Sequence, residues 1–137
     1  MQKLPFEIGQ IYDRQADVHS VYGGNRRAGI AACGRYPLIF LFSAPSGKSF
    51  GYEDGWIADD EFFYTGEGQR GDKDLARGNR AIYEHQHNGK QLHLFRAQEP
   101  GAYEYLGRFE YANHTFRKGR DKAKNARRII VFRLKRL

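Results

Sequence analysis

Cysteine occurs once in 137 residues, at Cys33. A single thiol excludes an intramolecular disulfide and a multi-cysteine zinc site. No His–Asp pair stands beside it, so it reads as a small buried or half-buried residue rather than a nucleophile. Long apolar runs are also missing: none approaches the roughly 18 residues of a membrane-spanning helix. The opening MQKLPFEIGQIYDRQ has no apolar centre of the signal-peptide kind, which makes a reducing cytoplasm the default. Acids are the minority charge, 16 against 23 Lys and Arg, giving a formal charge of +7 and a pI near 9.6. That balance favours a polyanionic partner, nucleic acid before an anionic membrane. There is no internal repeat and no interdomain linker, and the length suits one domain spanning 1–137 with a real core.

Aromatic residues are plentiful: 15% of the chain, with nine Tyr and ten Phe. They favour strands and dominate core burial. Residues 8–24 can open with a short helix and end at Gly23-Gly24. YPLIFLF (36–42) is a continuous apolar run of strand length and reads as a central strand. EFFYT (61–65) is an aromatic strand, QLHLFRA (91–97) alternates, and AYEYLGRFEYA (102–112) alternates again. A helix is expected from Asn79 to Asn88, stopped by Gly89. NHTFRKGRDKAKNARR (113–128) has almost no apolar content and reads as an exposed loop, and IIVFRLKRL closes as a strand. The expected class is α+β, with a curved, barrel-like, mainly antiparallel sheet and one or two flanking helices.

Gly66, Gly68 and Gly71 spell G-x-G-x-x-G, the dinucleotide-binding pattern. Its context argues against a nucleotide cofactor. The preceding strand is aromatic rather than aliphatic, about 60 residues come before it, only one helix follows, and Gly78 interrupts that helix. SGKS (46–49) lacks the first glycine of a phosphate-binding loop. His85, His87 and His93 lack metal-site spacing and read as solvated polar residues, and His19 as a structural hydrogen-bonder. No catalytic residues, no metal and no cofactor are expected.

The stretch GYEDGWIADDEFFYTGEGQ (51–69), followed by GDKDLARGNRAI (71–82), resembles the SRA (SET- and RING-associated, or YDG) domain, a reader of 5-methylcytosine in DNA. Tyr52 and Tyr64 keep a twelve-residue spacing, with Thr65-Gly66-Glu67-Gly68 following. VHSVYGGNRRAGI (18–30) is similar to the family segment that approaches a flipped base. The combination is most similar to the SRA-like recognition domains of bacterial modification-dependent HNH restriction endonucleases, and it covers roughly residues 10–137.

The resemblance implies an SRA/PUA-like fold and recognition of duplex DNA carrying 5-methylcytosine or 5-hydroxymethylcytosine, by rotation of the base into an aromatic pocket. It also implies a fused or separate HNH nuclease, a cytoplasmic, nucleoid-associated setting in a prokaryote, and either a stand-alone reader or an excised recognition domain. Tyr52 and Tyr64 match the stacking tyrosines; core packing is the alternative for each. The family's pocket aspartate falls at Gly55, which makes Asp54 the candidate acceptor for the cytosine amino group, with Asp59 or Asp60 behind it. Thr65, Gly66 and Gly68 would let the backbone approach the base, or simply form a tight turn. Asn79 would cap its helix or reach a phosphate. From His114 onward there are ten Lys or Arg and one acid. Arg26, Arg27, Gly29 and Arg70, together with Arg117, Lys118, Arg120 and Lys122, are therefore expected along the DNA backbone or groove. A related reader of another modified base or of RNA is the alternative, and a nucleotide-cofactor enzyme a distant one.

Overall fold

The computed structural model describes residues 4–44, 54–67, 75–120 and 126–137. Tyr52, Gly68, Arg70 and Lys122 lie outside them. Eight strands form one sheet: β1 Ile11–Asp13, β2 Ile30–Ala32, β3 Leu38–Ser43, β4 Gly55–Ala58, β5 Glu61–Thr65, β6 Gln91–Glu99, β7 Ala102–Arg120 and β8 Ala126–Arg136. Their order is β2-β3-β6-β7-β8-β5-β4, with β1 pairing to β7. All described pairings are antiparallel except β3 with β6, whose connection carries β4, β5 and the helix α2, Arg77–Tyr83. The α+β class, the mainly antiparallel sheet and the two helices are as expected; the sheet, expected to be barrel-like, is not closed among the described residues.

The apolar run at 38–43 is buried at every position because β3 is covered on both faces. Ile39 and Leu41 join Leu92, Leu94, Phe62, Phe132 and the helical Ile82 on one side. Leu38, Phe40 and Phe42 join Phe95, Tyr105, Phe6 and Val18 on the other. Side-chain alternation along β3 and β6 thus feeds two cores. Each fully buried Phe contributes roughly 1.5–3 kcal/mol. The alternation in QLHLFRA is real, but both of its faces are inside.

Of the expected loop at 113–128, residues 113–120 and 126–128 are strand: β7 continues to Arg120 and pairs with β8 from Phe109↔Arg136 to Arg120↔Ala126, with a register shift between Tyr111 and Asn113. Cross-strand hydrogen bonding carries this ribbon where hydrophobic periodicity is silent. The first helix lies at 14–22, a π-helical Arg14–His19 continuing into α1, Ser20–Tyr22, and β1 precedes it. Asp13 caps it by accepting from the Ala16 N–H at 2.8 Å. The second helix ends at Tyr83 rather than Asn88, and turns carry the chain to Gly89, whose φ of +67° suits glycine.

His85 and His93 are buried at 4% exposure, not solvated. His85 Nε2 accepts from the Tyr111 N–H (2.9 Å) and Nδ1 donates to Lys90 O (2.8 Å), tying the end of the α2 segment to β7. His93 Nε2 donates to Gln91 Oε1 (3.0 Å) and Nδ1 accepts from the Tyr105 hydroxyl (2.7 Å). Cys33 is buried, and burial pushes its thiol up to about 11.

Candidate nucleic-acid interface

Of the motif's described residues, Asp54 meets Thr65 at the end of β5 that leads into Gly66 and Glu67. Tyr64 points into the core beneath α2 and is 3% exposed. Its hydroxyl donates to Gly29 O at 2.9 Å and lies 3.4 Å from Phe42 O. Burial, and then the nearby Asp54 and Glu67 charges, hold the phenol well above its ordinary value, so it stays a neutral donor. Asp54 stands at the start of β4 with its carboxylate accepting from the Thr65 N–H (2.7 Å) and from the Ser43 hydroxyl (2.7 Å). Asp59 and Asp60 are exposed in the turn at the other end of β5, where Asp60 O accepts from the Arg136 N–H. The acid beside Thr65 is therefore Asp54.

Gly66 continues the β5–β8 pairing, its N–H donating to Ile130 O at 2.9 Å. A Cβ here would sit 2.5 Å from Ile130 Cγ2 and 2.6 Å from Asn79 Oδ1. The space that glycine makes is taken by this chain's own side chains. Asn79 is 2% exposed, and its amide reads the Glu67 backbone twice: Oδ1 accepts from the N–H (2.8 Å) and Nδ2 donates to the carbonyl (3.1 Å). Glu67 returns the contact, accepting the Gly78 N–H at 3.0 Å, and a Cβ on Gly78 would meet that carboxylate at 2.6 Å. Thus Asn79 lies within α2 rather than at its N-cap, which is Ala76. It fixes the Gly66-Glu67 turn, while Glu67 satisfies a helix-start N–H that Ala76 cannot. Gly66→Ala should lower stability by about 1–3 kcal/mol through overpacking, read as a lower thermal midpoint. An unchanged midpoint would contradict this geometry.

The segment 23–29 carries Arg26 and Arg27 at the surface and Gly29 against Tyr64, whose hydroxyl a Cβ there would meet at 3.1 Å. Gly29 O is occupied by the Phe42 N–H (2.7 Å) as well as by Tyr64. Asn25 Oδ1 accepts the N–H groups of Arg27 and Ala28, and Arg26 exchanges hydrogen bonds with Gln15. Arg14 anchors the whole loop. It is 7% exposed, and its guanidinium lies 3.7 Å from the Phe42 ring centre. The same group donates to Asn25 O (3.1 Å), Ala28 O (2.5 Å) and His19 Nε2 (2.8 Å). Burial lowers the Arg14 pKa and likewise that of His19, whose Nδ1 donates to Gly23 O (2.8 Å).

On the β7–β8 ribbon Arg117 lies 5.4 Å from the Phe63 ring and Lys118 is exposed. Arg120 pairs with Ala126 at the ribbon's far end. Sequence reasoning missed Arg14, Ser43 and Glu67. Glu67 sits between two glycines and Arg14 among polar residues, so neither shows any periodic sign of a buried partner. Among the described residues no group of three or more His, Cys, Asp or Glu could hold a metal, and no helix is long and apolar enough to cross a membrane.

The family model of the ScoMcrA-like SRA domain matches residues 8–137. No curated protein sequence matches the chain. Among solved structures it is similar to the sulfur-binding and SRA domains of ScoMcrA complexed with phosphorothioated DNA, at 27% identity and a TM-score of 0.76, covering 98% of this chain and 40% of that one. The same identity and TM-score relate it to the type IV phosphorothioation-dependent restriction endonuclease ScoMcrA, of which it spans 25%. The plant SRA domain SUVH5, solved with hemi-methylated CG DNA, shares the fold at 18% identity and a TM-score of 0.71, covering 99% and 92% of the two chains.

Proposed function

This chain belongs to the ScoMcrA-like SRA domain family, and from that premise we propose that it binds duplex DNA containing a modified cytosine and draws that base out of the stack. The preferred modification is 5-methyl or 5-hydroxymethyl. Tyr52 and Tyr64 flank the rotated base, and the Thr65-Gly66 backbone, continued by Gly68, meets its edge. Asp54 accepts from the cytosine amino group. The observation that carries the reading is the Asp54 carboxylate, fixed by Ser43 and by the Thr65 N–H at the edge where the motif's residues meet. A carboxylate suits that amino donor, and its two anchors hold it in place before the base arrives.

As an SRA domain the chain is a recognition module rather than a catalyst. Cleavage in a restriction setting would come from an HNH nuclease, fused or separate. Arg26 and Arg27, on a loop braced by Arg14, join Arg117, Lys118 and the Arg70, Arg120 and Lys122 positions in gripping phosphates. Those contacts supply affinity and the pocket supplies discrimination.

The direct test is a binding panel of duplexes that differ only at one cytosine, at fixed salt, with phosphorothioated duplex and RNA as further arms. At least tenfold tighter binding of one cytosine modification is expected. A flat panel would refute the pocket, and a preference for the phosphorothioate or RNA arm would reassign the ligand. Replacing Arg26 and Arg27 by Gln should flatten the dependence of log K on log salt by up to about 0.9 per lost phosphate contact while leaving the modified-to-plain ratio intact. An unaltered slope removes that loop from the interface.

A further inference from the structure

The β7–β8 ribbon is amphipathic in an unusual way. His114, Phe116 and Lys118 alternate onto one face of β7, and their register partners on β8 are Phe132, Ile130 and Arg128. Phe132 and Ile130 are fully buried under α2, alongside Ile82. The core face thus runs out from beneath the helix, first into Phe116 at 43% exposure and then into the Lys118–Arg128 pair. Tyr83, the last residue of α2, is 45% exposed beside it. The rings are in mutual contact: Tyr83–His114 at 5.6 Å, His114–Phe116 at 5.4 Å, and the Arg128 guanidinium 4.4 Å over Phe116.

The make-up of this strip points to a ligand: two aromatic rings keep over two-fifths of their surface in water on a rigid, hydrogen-bonded support, beside the exposed Lys118. Cations interleaved with exposed rings are what an unpaired nucleic-acid strand requires, with phosphate on the cations and bases on the rings.

We propose that this strip of Tyr83, His114, Phe116, Lys118 and Arg128 is a second DNA contact that holds unpaired nucleotides of a single strand by stacking. It rests on the DNA-binding part of the function proposed above, not on the pocket. It starts close to that pocket, because Phe116 pairs with Ile130 and Ile130 accepts from the Gly66 N–H. Two strand spacings, about 9.5 Å, therefore separate Gly66 from Phe116.

Fluorescence anisotropy with an unmodified oligothymidine tests the idea. The wild-type domain should bind it. Phe116→Leu and Tyr83→Ala should each weaken that binding about fivefold or more at unchanged thermal midpoint, while Phe116→Tyr retains it. The modified-to-plain duplex ratio, measured on the same proteins, should stay at the wild-type value, so failure of the strip and failure of the pocket are read separately. Bromodeoxyuridine in the oligonucleotide should cross-link to α2 or β7 on irradiation. Unchanged oligothymidine affinity in folded Phe116→Leu and Tyr83→Ala overturns the proposal, as does cross-linking confined to other segments. An equal loss of binding to polyglutamate also overturns it, since that marks a plain charged patch.

Discussion

Tyr64→Ala is expected to lower folding stability by about 3–5 kcal/mol, the cost of truncating a fully buried aromatic ring, and to abolish most of the preference for modified over plain duplex. Both effects follow from one position. The ring is part of the core beneath α2 and its hydroxyl bridges to Gly29 O, so it joins β5 to the loop bearing Arg26 and Arg27. At 3% exposure it offers a base no open face until covering groups yield. Phosphate contact should accordingly precede base insertion. Tyr64→Phe separates the roles. It keeps the ring and removes one donor from a carbonyl that retains the Phe42 N–H, so its cost should be near 1 kcal/mol. If the ring stacks on the base, Tyr64→Phe preserves the modified-to-plain ratio, and any weakening falls equally on all duplexes. Urea denaturation and the binding panel together decide this. A Tyr64→Ala protein that remains folded with its full ratio would show Tyr64 to be core alone.

Much of this arrangement was legible in the chain, for reasons that can be stated. The strands at 38–43, 61–65 and 91–99 announce themselves because burial on one or both faces demands aliphatic and aromatic side chains at strand spacing. The meeting of Asp54 with the Thr65 end of β5 was legible because Tyr64, Thr65 and Gly66 are contiguous and Asp54 stands in the same sequence stretch. The strand at 113–120 was not. Its partner β8 is the next strand in the chain, but no apolar periodicity marks the pairing, and its backbone hydrogen bonds are indifferent to the Lys and Arg side chains they carry. Asn79 was misjudged for a related reason. An Asn near a helix start looks like a cap, yet the N–H and the carbonyl it serves belong to Glu67, twelve residues away. Arg14 shows the same blindness at greater cost: a buried cation is stabilised by three acceptors and a ring that no window of sequence brings together.

The histidines give the last large expectation, a loss of stability on mild acidification. In three buried rings the hydrogen bonds dictate a neutral form. His19 Nε2 accepts from the Arg14 guanidinium and His85 Nε2 from a backbone N–H, donors that cannot reverse. His93 Nδ1 accepts from Tyr105 while its other nitrogen donates to Gln91. Burial lowers the pKa of all three, and that of His93 to about 4. An unfolded histidine titrates near 6.5. Above that pH neither state binds the proton. As pH falls through 6.5 the unfolded chain protonates and the native one does not, so unfolding is favoured, by roughly 3 kcal/mol from His93 alone once pH 4 is reached. Ordinary carboxylates begin to titrate only below about 5, which leaves pH 6.5 to 5 as the window in which histidine acts. Urea midpoints should fall across that window, and His93→Gln should show a shallower fall despite a lower starting stability. Midpoints that hold level from pH 7 to 5 would mean that these rings can take up protons in place, against the donors that now face them.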